Sequence, residues 1–229
     1  IEAGWNYERF QNLGFAFSLI PALRKLHEPG PSLNAAVRRH LAQFNTQPYM
    51  AGFIMGNIIR MEEELARSPG DAGLEKKLLG VKAALASGFA AIGDRVFLGR
   101  LKPITTQICI VVWVLAGFYG WLFTGDPYSL STRPSMTLLL CGPLAGMAIY
   151  GVFSVYLRWT GLKRGYVCGG LSSCGFDALN WPKVIKSLSM TGFFFSSLIL
   201  LASFSLLAVR GWSGELDLGL AGKVALVLA

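Results

Sequence analysis

The sequence predicts an all-α integral membrane protein, in which N-terminal amphipathic and re-entrant helices are followed by three to four transmembrane helices. Of the 229 residues, 53% are hydrophobic and only 15% are charged, and the mean hydropathy is +0.48. Soluble domains carry about 25% charged residues, so this composition excludes a disordered chain, a coiled coil and an ordinary soluble enzyme. The net charge of +8 fits the Lys and Arg that membrane proteins keep on the cytoplasmic side, and it requires no nucleic acid partner.

Three long runs without any charged residue predict the membrane spans. A spanning helix needs about 20 apolar residues, and a buried helix of a soluble core seldom reaches this length. The runs contain 21, 23 and 22 residues, and they cover residues 104–124, 135–157 and 188–209. A fourth apolar stretch, residues 216–229, contains Asp217 and Lys223, and we expect it to be part of a further span.

The charge of the segments between the predicted spans indicates how the chain is oriented in the membrane and where it divides into two regions. Residues 158–187 carry five basic side chains against Asp177 alone, so the positive-inside rule places this loop in the cytoplasm. The first span then runs outward from a cytoplasmic N-terminal half. We expect residues 1–103 to form an amphipathic and re-entrant helical region, and residues 104–229 to form a transmembrane region that is truncated at its C-terminus.

Two amphipathic helices are predicted near the N-terminus. Residues 10–23 place apolar side chains at helical spacing, which is typical of a helix that lies on the membrane or on a partner. Pro21 and the Pro29-Gly30-Pro31 cluster are predicted to break the segment that follows. Residues 34–44 form the second, basic helix.

Residues 41–61 are too broken for a simple span and too apolar for a surface loop. The apolar pattern is interrupted by Asn45, Thr46, Gln47 and Pro48. Irregular backbone occurs at membrane depth only where protein or a water-filled cavity covers it, and broken helices commonly form transporter substrate sites. We therefore expect a re-entrant or discontinuous helix; the alternative is a soluble helix–loop–helix with an exposed turn.

Acidic residues flank a stretch that is rich in small residues. Glu62, Glu63 and Glu64 are consecutive, which usually indicates a solvated helix face. Small residues dominate positions 78–99 and allow helices to approach closely. Asp94 lies near the end of this stretch, where a carboxylate must pair, cap a helix or face a cavity; an interfacial ion pair with Arg95 is the simpler alternative.

No catalytic, metal or cofactor motif is present. The two histidines, His27 and His40, lie in polar, basic surroundings, and we interpret both as surface residues. Cys168 and Cys174 lie in a Gly-rich loop without histidines nearby, so we expect free thiols rather than a metal site. We expect no cofactor and no catalytic residue.

Four stretches of residues 4–103 form one pattern of motifs. They are Gly4 to Arg9 with Gln11 to Phe15 and Pro21, Arg39 to Leu41 with Phe44 to Tyr49, Met61 to Glu64, and Ala91 to Asp94 with Phe97, Gly99, Leu101 and Pro103. In order and spacing these stretches resemble the IID component of bacterial mannose/fructose/sorbose phosphotransferase systems. Lys163-Arg164-Gly165-Tyr166 is a weaker match. The chain departs from the family pattern at Gly88-Phe89-Ala90-Ala91, where a proline is missing, and at Arg95 and Arg100.

The resemblance implies a membrane subunit that, with a IIC subunit, forms a hexose-translocating unit. It implies a hetero-oligomer in the bacterial cytoplasmic (inner) membrane, a multi-pass chain in the lipid bilayer, and phosphate supplied by cytoplasmic IIA and IIB subunits. A sugar site needs amide, hydroxyl and carboxylate groups. The predicted substrate-binding residues are Asn45, Thr46, Gln47, Glu62, Glu63 and Asp94, and the alternative role for them is to cap helix breaks and hold the fold. The alternative function is a degenerate, non-transporting IID-like subunit with a regulatory or structural role.

Overall fold

A computed structural model describes residues 2–115, 136–170 and 180–212, and the regular elements within these ranges are helices. The helices are α1 (Asn12–Leu26), α2 (Pro31–Arg39), α3 (Ala51–Arg67), α4 (Ala72–Val96), α5 (Lys102–Leu115), α6 (Met136–Cys168) and α7 (Trp181–Trp212). A 3-10 turn at Glu2–Gly4 precedes them, and a π-helical segment, Phe97–Leu101, connects α4 to α5. The predicted all-α fold class is confirmed.

Within the described ranges, three helices are long and apolar enough to cross a membrane: Ala72–Trp113, Leu140–Cys168 and Trp181–Ser205. The second and third contain most of the predicted spans 135–157 and 188–209. The first begins well before residue 104, because α4 continues through the π-helical segment into α5. Residues 116–124 of the first predicted span, and the whole predicted stretch 216–229, lie outside the described residues.

The chain divides into two compact units. Unit 1 comprises residues 1–97 and 152–184, and unit 2 comprises residues 98–151 and 185–229. Unit 1 therefore contains α1 to α4 together with the C-terminal part of α6. The functional boundary predicted at residue 103 stays a prediction.

The core of unit 1 is formed by the inward faces of α1, α3 and α4. Its apolar side chains recur every three or four residues along each helix, which is the spacing that places them on one helix face. The central buried residues are Phe15, Leu19 and Leu23 of α1, Ile54, Ile58 and Met61 of α3, and Leu78, Leu85 and Phe89 of α4. This periodicity explains why three short segments fold into one packed body.

Pro21 does not end the first helix, contrary to the prediction. It lies inside α1 on an exposed face, where its missing N–H leaves only the carbonyl of Phe17 without its usual partner. Burial of Leu19 and Leu23 on the opposite side holds the next turn in place. The predicted break at Gly30 is confirmed, since Gly30 precedes α2 with φ of 137°. The second helix covers Pro31–Arg39 rather than residues 34–44.

In unit 2, polar side chains link α5 to α7 at two points. Arg100, in the π-helical segment, donates from Nε to Ser189 Oγ at 2.7 Å, and Gln107 of α5 donates from Nε2 to Ser196 Oγ at 2.6 Å. Both pairs are spaced seven residues apart, so the same two helix faces meet over two turns. Gly192 lies between them and leaves room for Ile104.

Candidate functional site

The loop between α2 and α3 is held by a glutamine at the start of α1. Gln11 Nε2 donates to the Thr46 carbonyl at 2.9 Å, and the Thr46 N–H donates to Gln11 Oε1 at 3.1 Å. The Gln11 N–H also donates to the Phe44 carbonyl at 2.9 Å. One side-chain amide thus satisfies both backbone groups of a buried residue, as irregular buried backbone requires.

Two asparagines add further hydrogen bonds that hold the same loop. Asn12 Nδ2 donates to the Leu41 carbonyl at 2.7 Å, and Asn6 Nδ2 donates to Asn12 Oδ1 at 2.9 Å. Asn12 is buried. The side chains of the N-terminal motif therefore hydrogen-bond the backbone of this loop. The side chains of Asn45, Thr46 and Gln47 do not supply these bonds.

Gln47 lies against the Gly93-Asp94 motif of α4. Its side chain is 5% exposed, and its Nε2 lies 3.5 Å from Asp94 Oδ1. Gly93 makes this approach possible, because a Cβ there would overlap the Cβ and Cγ of Gln47. Among the described residues, Gln47 Oε1 and Thr46 Oγ1 are buried without a hydrogen-bond partner. This geometry leaves two buried acceptors near an exposed carboxylate.

An aromatic stack fixes the other end of the same loop. The ring of Tyr49 stacks on Phe97 with centroids 4.5 Å apart, and the guanidinium of Arg158 lies 4.8 Å from the Tyr49 centroid. Gly52 allows α3 to touch the backbone of Arg158, since a Cβ there would lie 2.6 Å from the Arg158 carbonyl oxygen. The loop that carries Gln47 is therefore positioned by α1, α4 and α6.

Glu62, which is fully buried, is the centre of a second cluster. Its carboxylate lies 2.9 Å from His40 Nε2, 3.3 Å from His27 Nε2 and 3.4 Å from Arg39 Nε. Arg39 is close enough for an ion pair but its Nε is not aligned for a hydrogen bond. Its Nη1 also lies 3.7 Å from Glu75. Residues in or next to each of the helices α1 to α4 thus contact the Glu62 carboxylate or one of its partners.

The charge states of this cluster follow from burial and from its neighbours. Burial raises the pKa of the Glu62 carboxyl, but the hydrogen bond from His40, the positive charge of Arg39 and the hydrogen bond from His27 outweigh it, so the pKa lies below its ordinary value. Burial lowers the pKa of His40, against the hydrogen bond and charge of Glu62, and the charges of Lys82 and Arg39 add to the lowering. A neutral His40 with its proton on Nε2 fits this geometry, because its buried Nδ1 has no hydrogen-bond partner among the described residues.

Lys82, in α4, is the last member of the Glu62 cluster and contacts it through His40. Its Nζ donates to the His40 carbonyl at 3.2 Å and lies 4.9 Å from the ring centroid of Phe15 and 5.4 Å from that of Phe44. Both rings are buried, so the ammonium group is held by cation–π contacts in place of water. A pocket of about 440 Å³ adjoins the cluster and is lined by His27, Arg39, Leu65, Asp71 and Glu75 among others.

Glu63 belongs to a third group, which connects α3 to α6. Its two carboxylate oxygens accept hydrogen bonds from the Tyr166 hydroxyl at 2.8 and 2.9 Å, and Arg60 Nη1 donates to it at 3.0 Å. The Arg60 guanidinium also lies 5.9 Å from the Tyr166 ring centroid. Tyr166 belongs to the weak sequence match from Lys163 to Tyr166, and here it joins α6 to α3.

Glycines bring α3 and α6 into backbone contact, and we call this contact the glycine seam. A Cβ on Gly56 would overlap the Leu162 carbonyl oxygen, and a Cβ on Gly165 would overlap the Phe53 carbonyl oxygen. Asn57 adds a polar contact, since its Oδ1 accepts from the Gly170 N–H at 3.2 Å. Close packing through small residues is typical of helices within membranes.

Three interpretations of side chains made from the sequence are wrong. Glu62 is fully buried and not part of a solvated face, because three cationic or imidazole groups surround it. His40 is fully buried and not a surface residue, because α1 and α4 cover it. Cys168 is disulfide-bonded, not a free thiol; Cys174 lies outside the described residues.

The structure distributes the six predicted binding residues over separate groups of contacts. Gln47 and Asp94 come together and Thr46 is their chain neighbour, whereas Glu62 and Glu63 face different partners and Asn45 is exposed. Their role in binding sugar stays a prediction. Sequence reasoning missed His27, Arg39, Lys82, Arg60 and Tyr166. A lone lysine inside the small-residue stretch was the available signal for Lys82, since a buried cation needs partners.

The fold and these clusters define a helical membrane protein with a buried polar network among its first four helices. The family model described as "PTS system mannose/fructose/sorbose family IID component" matches residues 1–124, which is more than half of the chain. This chain belongs to the mannose/fructose/sorbose family of phosphotransferase-system IID components, as its sequence motifs predict.

Curated relatives support the assignment. The chain is 33% identical over 165 residues to the fructose permease IID component of Bacillus subtilis. It is 31% identical over 169 residues to the mannose-specific EIID component of Escherichia coli K12, and 30% identical over 195 residues to the sorbose-specific EIID component of Klebsiella pneumoniae. These matches cover 72%, 73% and 84% of this chain, but only 51%, 51% and 62% of the relatives. The chain thus spans about half the length of the first two relatives.

Two solved structures share the fold. One is a chain of the cryo-EM structure of the mannose transporter ManYZ in complex with microcin E492, with a TM-score of 0.56 and 28% identity, covering 86% of this chain and 63% of that one. The other is a chain described as a membrane protein, with a TM-score of 0.65 and 29% identity, covering 86% of this chain and 64% of that one.

Proposed function

We propose that this chain is the IID subunit of a mannose-type sugar phosphotransferase system in the bacterial cytoplasmic membrane. It forms a hexose-translocating unit with a IIC subunit, and cytoplasmic IIA and IIB subunits phosphorylate the sugar. Family membership is the observation that carries this proposal. Relatives named for fructose, mannose and sorbose all match, so the substrate class is a hexose.

The sugar-facing groups of this subunit are Thr46, Gln47 and Asp94. A sugar hydroxyl is both a donor and an acceptor, and the free oxygens of Gln47 and Thr46 are acceptors that lack a donor among the described residues. Gln11 already supports the backbone of this loop, which frees the neighbouring side chains to bind a ligand. The predicted residues Asn45, Glu62 and Glu63 have less support, because Asn45 is exposed and both carboxylates are engaged within the chain.

The phosphoryl group does not pass through this chain in our proposal. His40 is fully buried, and His27 is 8% exposed at its side chain. Both imidazoles face the Glu62 carboxylate. A phosphoryl acceptor needs an accessible ring nitrogen, and this arrangement supports a non-catalytic subunit.

The departures from the family pattern fit into the packing, which favours transport over the degenerate alternative. Phe89 takes its place in the core, 5.1 Å from the Phe53 ring and 6.4 Å from the Trp181 ring between centroids. Arg100 is hydrogen-bonded to Ser189. The altered stretch thus retains an ordered helix, α4, without the proline.

Uptake of labelled hexoses by cells that carry the whole system, with and without this chain, tests the function. Gln47→Met and Asp94→Asn should each raise the half-saturating sugar concentration about two- to tenfold, the equivalent of one hydrogen bond, at normal protein abundance. Gln11→Met is the matched control, because it removes a glutamine that holds the same loop; it should lower abundance instead. If cells take up no labelled hexose whether or not they carry this chain, a regulatory or structural subunit is favoured. If both site variants leave the half-saturating sugar concentration unchanged, Gln47 and Asp94 do not belong to the sugar site.

A further inference from the structure

Helix α1 has two apolar faces, and only one of them is covered. Phe15, Leu19 and Leu23 are buried in the core of unit 1, whereas Leu13 is 50% exposed and Phe17 is 75% exposed. With Ile20, these two residues form a second apolar line at i, i+4 and i+7, on one side of the helix. Helix propensity and core packing do not require this second line.

The exposed line forms one wall of a groove between α1 and α2. The groove has a volume of about 420 Å³, and Val37 and Leu41 line its other wall. Its other lining residues are small, Gly4, Gly14 and Ala16, so the groove is apolar throughout and open to its surroundings.

The rim of the groove carries the side chains that favour a membrane surface. Trp5 is 47% exposed and Tyr7 is 89% exposed, close in sequence to Gly4 at one end. Arg24 follows Ile20 by one helical turn, and Arg38 follows Val37 directly; both are exposed. Aromatic residues concentrate at the bilayer interface, and arginines there pair with anionic headgroups.

The surrounding charges are not all positive. The exposed basic residues of this region are Arg9, Arg24, Lys25 and Arg38, and the exposed acidic residues are Glu2, Glu8 and Glu28. Arg39 is turned inward to Glu62. The walls of the groove carry no charge. By helical position Arg24 lies one turn beyond Ile20 and Arg38 adjoins Val37, while Glu2 lies two residues before Gly4, so two arginines face one acid at the edges of the groove.

We propose that this groove is a binding site for an anionic phospholipid. One acyl chain lies between Phe17 and Val37, and Arg24 and Arg38 hold the phosphate. The site anchors the N-terminal helical hairpin to the bilayer surface, independently of sugar binding. An apolar helix of a partner subunit is the competing occupant, but it would bring no phosphate for these two arginines.

Photo-crosslinking of the full chain in its membrane complex tests the proposal. The probes are phosphatidylglycerol and phosphatidylcholine, each with a diazirine in the acyl chain. We expect phosphatidylglycerol to label peptides that contain residues 13–20 and 37–41. Phe17→Ser should reduce this labelling about tenfold, the effect of removing one large apolar contact. Arg24→Gln combined with Arg38→Gln should reduce the preference for phosphatidylglycerol about fivefold or more.

Phe193→Ser is the matched control, because Phe193 of α7 is 76% exposed but far from the groove in sequence; it should leave the labelling of α1 unchanged. A photoreactive side chain at position 17 of the otherwise unaltered chain provides a second measurement that does not depend on a destabilising variant. Cross-linking of that side chain to lipid supports the site. Cross-linking to a protein subunit, or equal labelling by both lipids, overturns it.

Discussion

Glu62 is the residue on which the contacts of the first four helices converge. Its carboxylate is fully buried beside Arg39, His40 and His27. Removing one member of a buried ionic group leaves the others without compensation, and this is strongly destabilising even where the intact group contributes little. The cluster therefore specifies how α1, α2 and α3 pack.

Glu62→Gln should lower the free energy of unfolding by about 3–5 kcal/mol, because Arg39 then keeps only the half-exposed Glu75, at 3.7 Å, as a counter-charge. Thermal unfolding in mild detergent measures the effect. Glu64→Gln is the matched control: Glu64 lies 3.9 Å from Arg60 and its side chain is 40% exposed, so its loss should cost less than about 1 kcal/mol. Equal stability of the two variants would contradict the role assigned to Glu62.

Acid should destabilise the folded chain in two stages. The pKa of His40 is lowered on folding, so below its ordinary value of 6.5 the unfolded state binds the proton more tightly and stability falls with pH. The pKa of Glu62 is also lowered, which adds a further loss as the pH falls below its ordinary value of 4.5 and on through its folded pKa.

The test is the unfolding temperature measured between pH 7.5 and pH 5, a range chosen to span the ordinary His pKa of about 6.5. We expect it to decrease over this range for the unaltered chain and to decrease less for His40→Gln. The Glu64→Gln variant should retain the full dependence. A flat profile for the unaltered chain would show that His40 does not titrate on unfolding in this range.

At the scale of helices, the glycine seam between α3 and α6 has no room for a side chain. Gly56→Ala should lower folded abundance, because a Cβ would overlap the Leu162 carbonyl oxygen. Gly80 of helix α4 is the matched control, since a Cβ added there would meet no atom within 4 Å. Gly80→Ala should stabilise the chain by about 0.5–1 kcal/mol through helix propensity. A Gly→Ala substitution should thus decrease the free energy of unfolding at position 56 and increase it at position 80. Thermal unfolding of both variants measures the two changes.

Helices were predictable from the sequence, whereas their contacts were not. Periodic apolar residues indicate α1, and uncharged runs indicate α6 and α7, because these patterns are local. The Pro21 break was predicted wrongly, since burial of Leu19 and Leu23 depends on other helices. Glu62 could not be recognised as buried from three consecutive glutamates, because its partners lie at positions 27, 39 and 40.

The candidate site shows the same division. Gln47 and Asp94 belong to motifs that the sequence singles out, yet their proximity depends on Gly93 leaving space for a side chain 46 residues earlier in the chain. The hydrogen bond between Tyr166 and Glu63 spans 103 residues. A contact between residues so far apart leaves no periodic pattern in the sequence, and a three-dimensional structure is needed to find it.

At the scale of the whole molecule, the excess of basic residues in positions 158–187 predicts a cytoplasmic loop. Lys183→Cys is a suitable reporter, because Lys183 is exposed. Cys168 is disulfide-bonded, and Cys109 and Cys141 lie in apolar helices. We expect an impermeant thiol reagent to label position 183 only after the cells are permeabilised. Labelling of intact cells beyond that of the unaltered chain would reverse the predicted orientation.

The glycine seam also determines when this protein can finish folding on the ribosome. The seam pairs residues 52–57 of α3 with residues 158–170, at the end of α6 and just after it, so α3 emerges long before its partner is synthesised. At about 5–20 residues per second, the interval is on the order of 5–20 s. During that time the glycine face of α3 is uncovered and Glu63 lacks its Tyr166 partner, so α3 needs a temporary partner such as the lipid surface or a chaperone. Slow synthesis between α3 and α6 should therefore increase degradation of the nascent chain more than slow synthesis after α6.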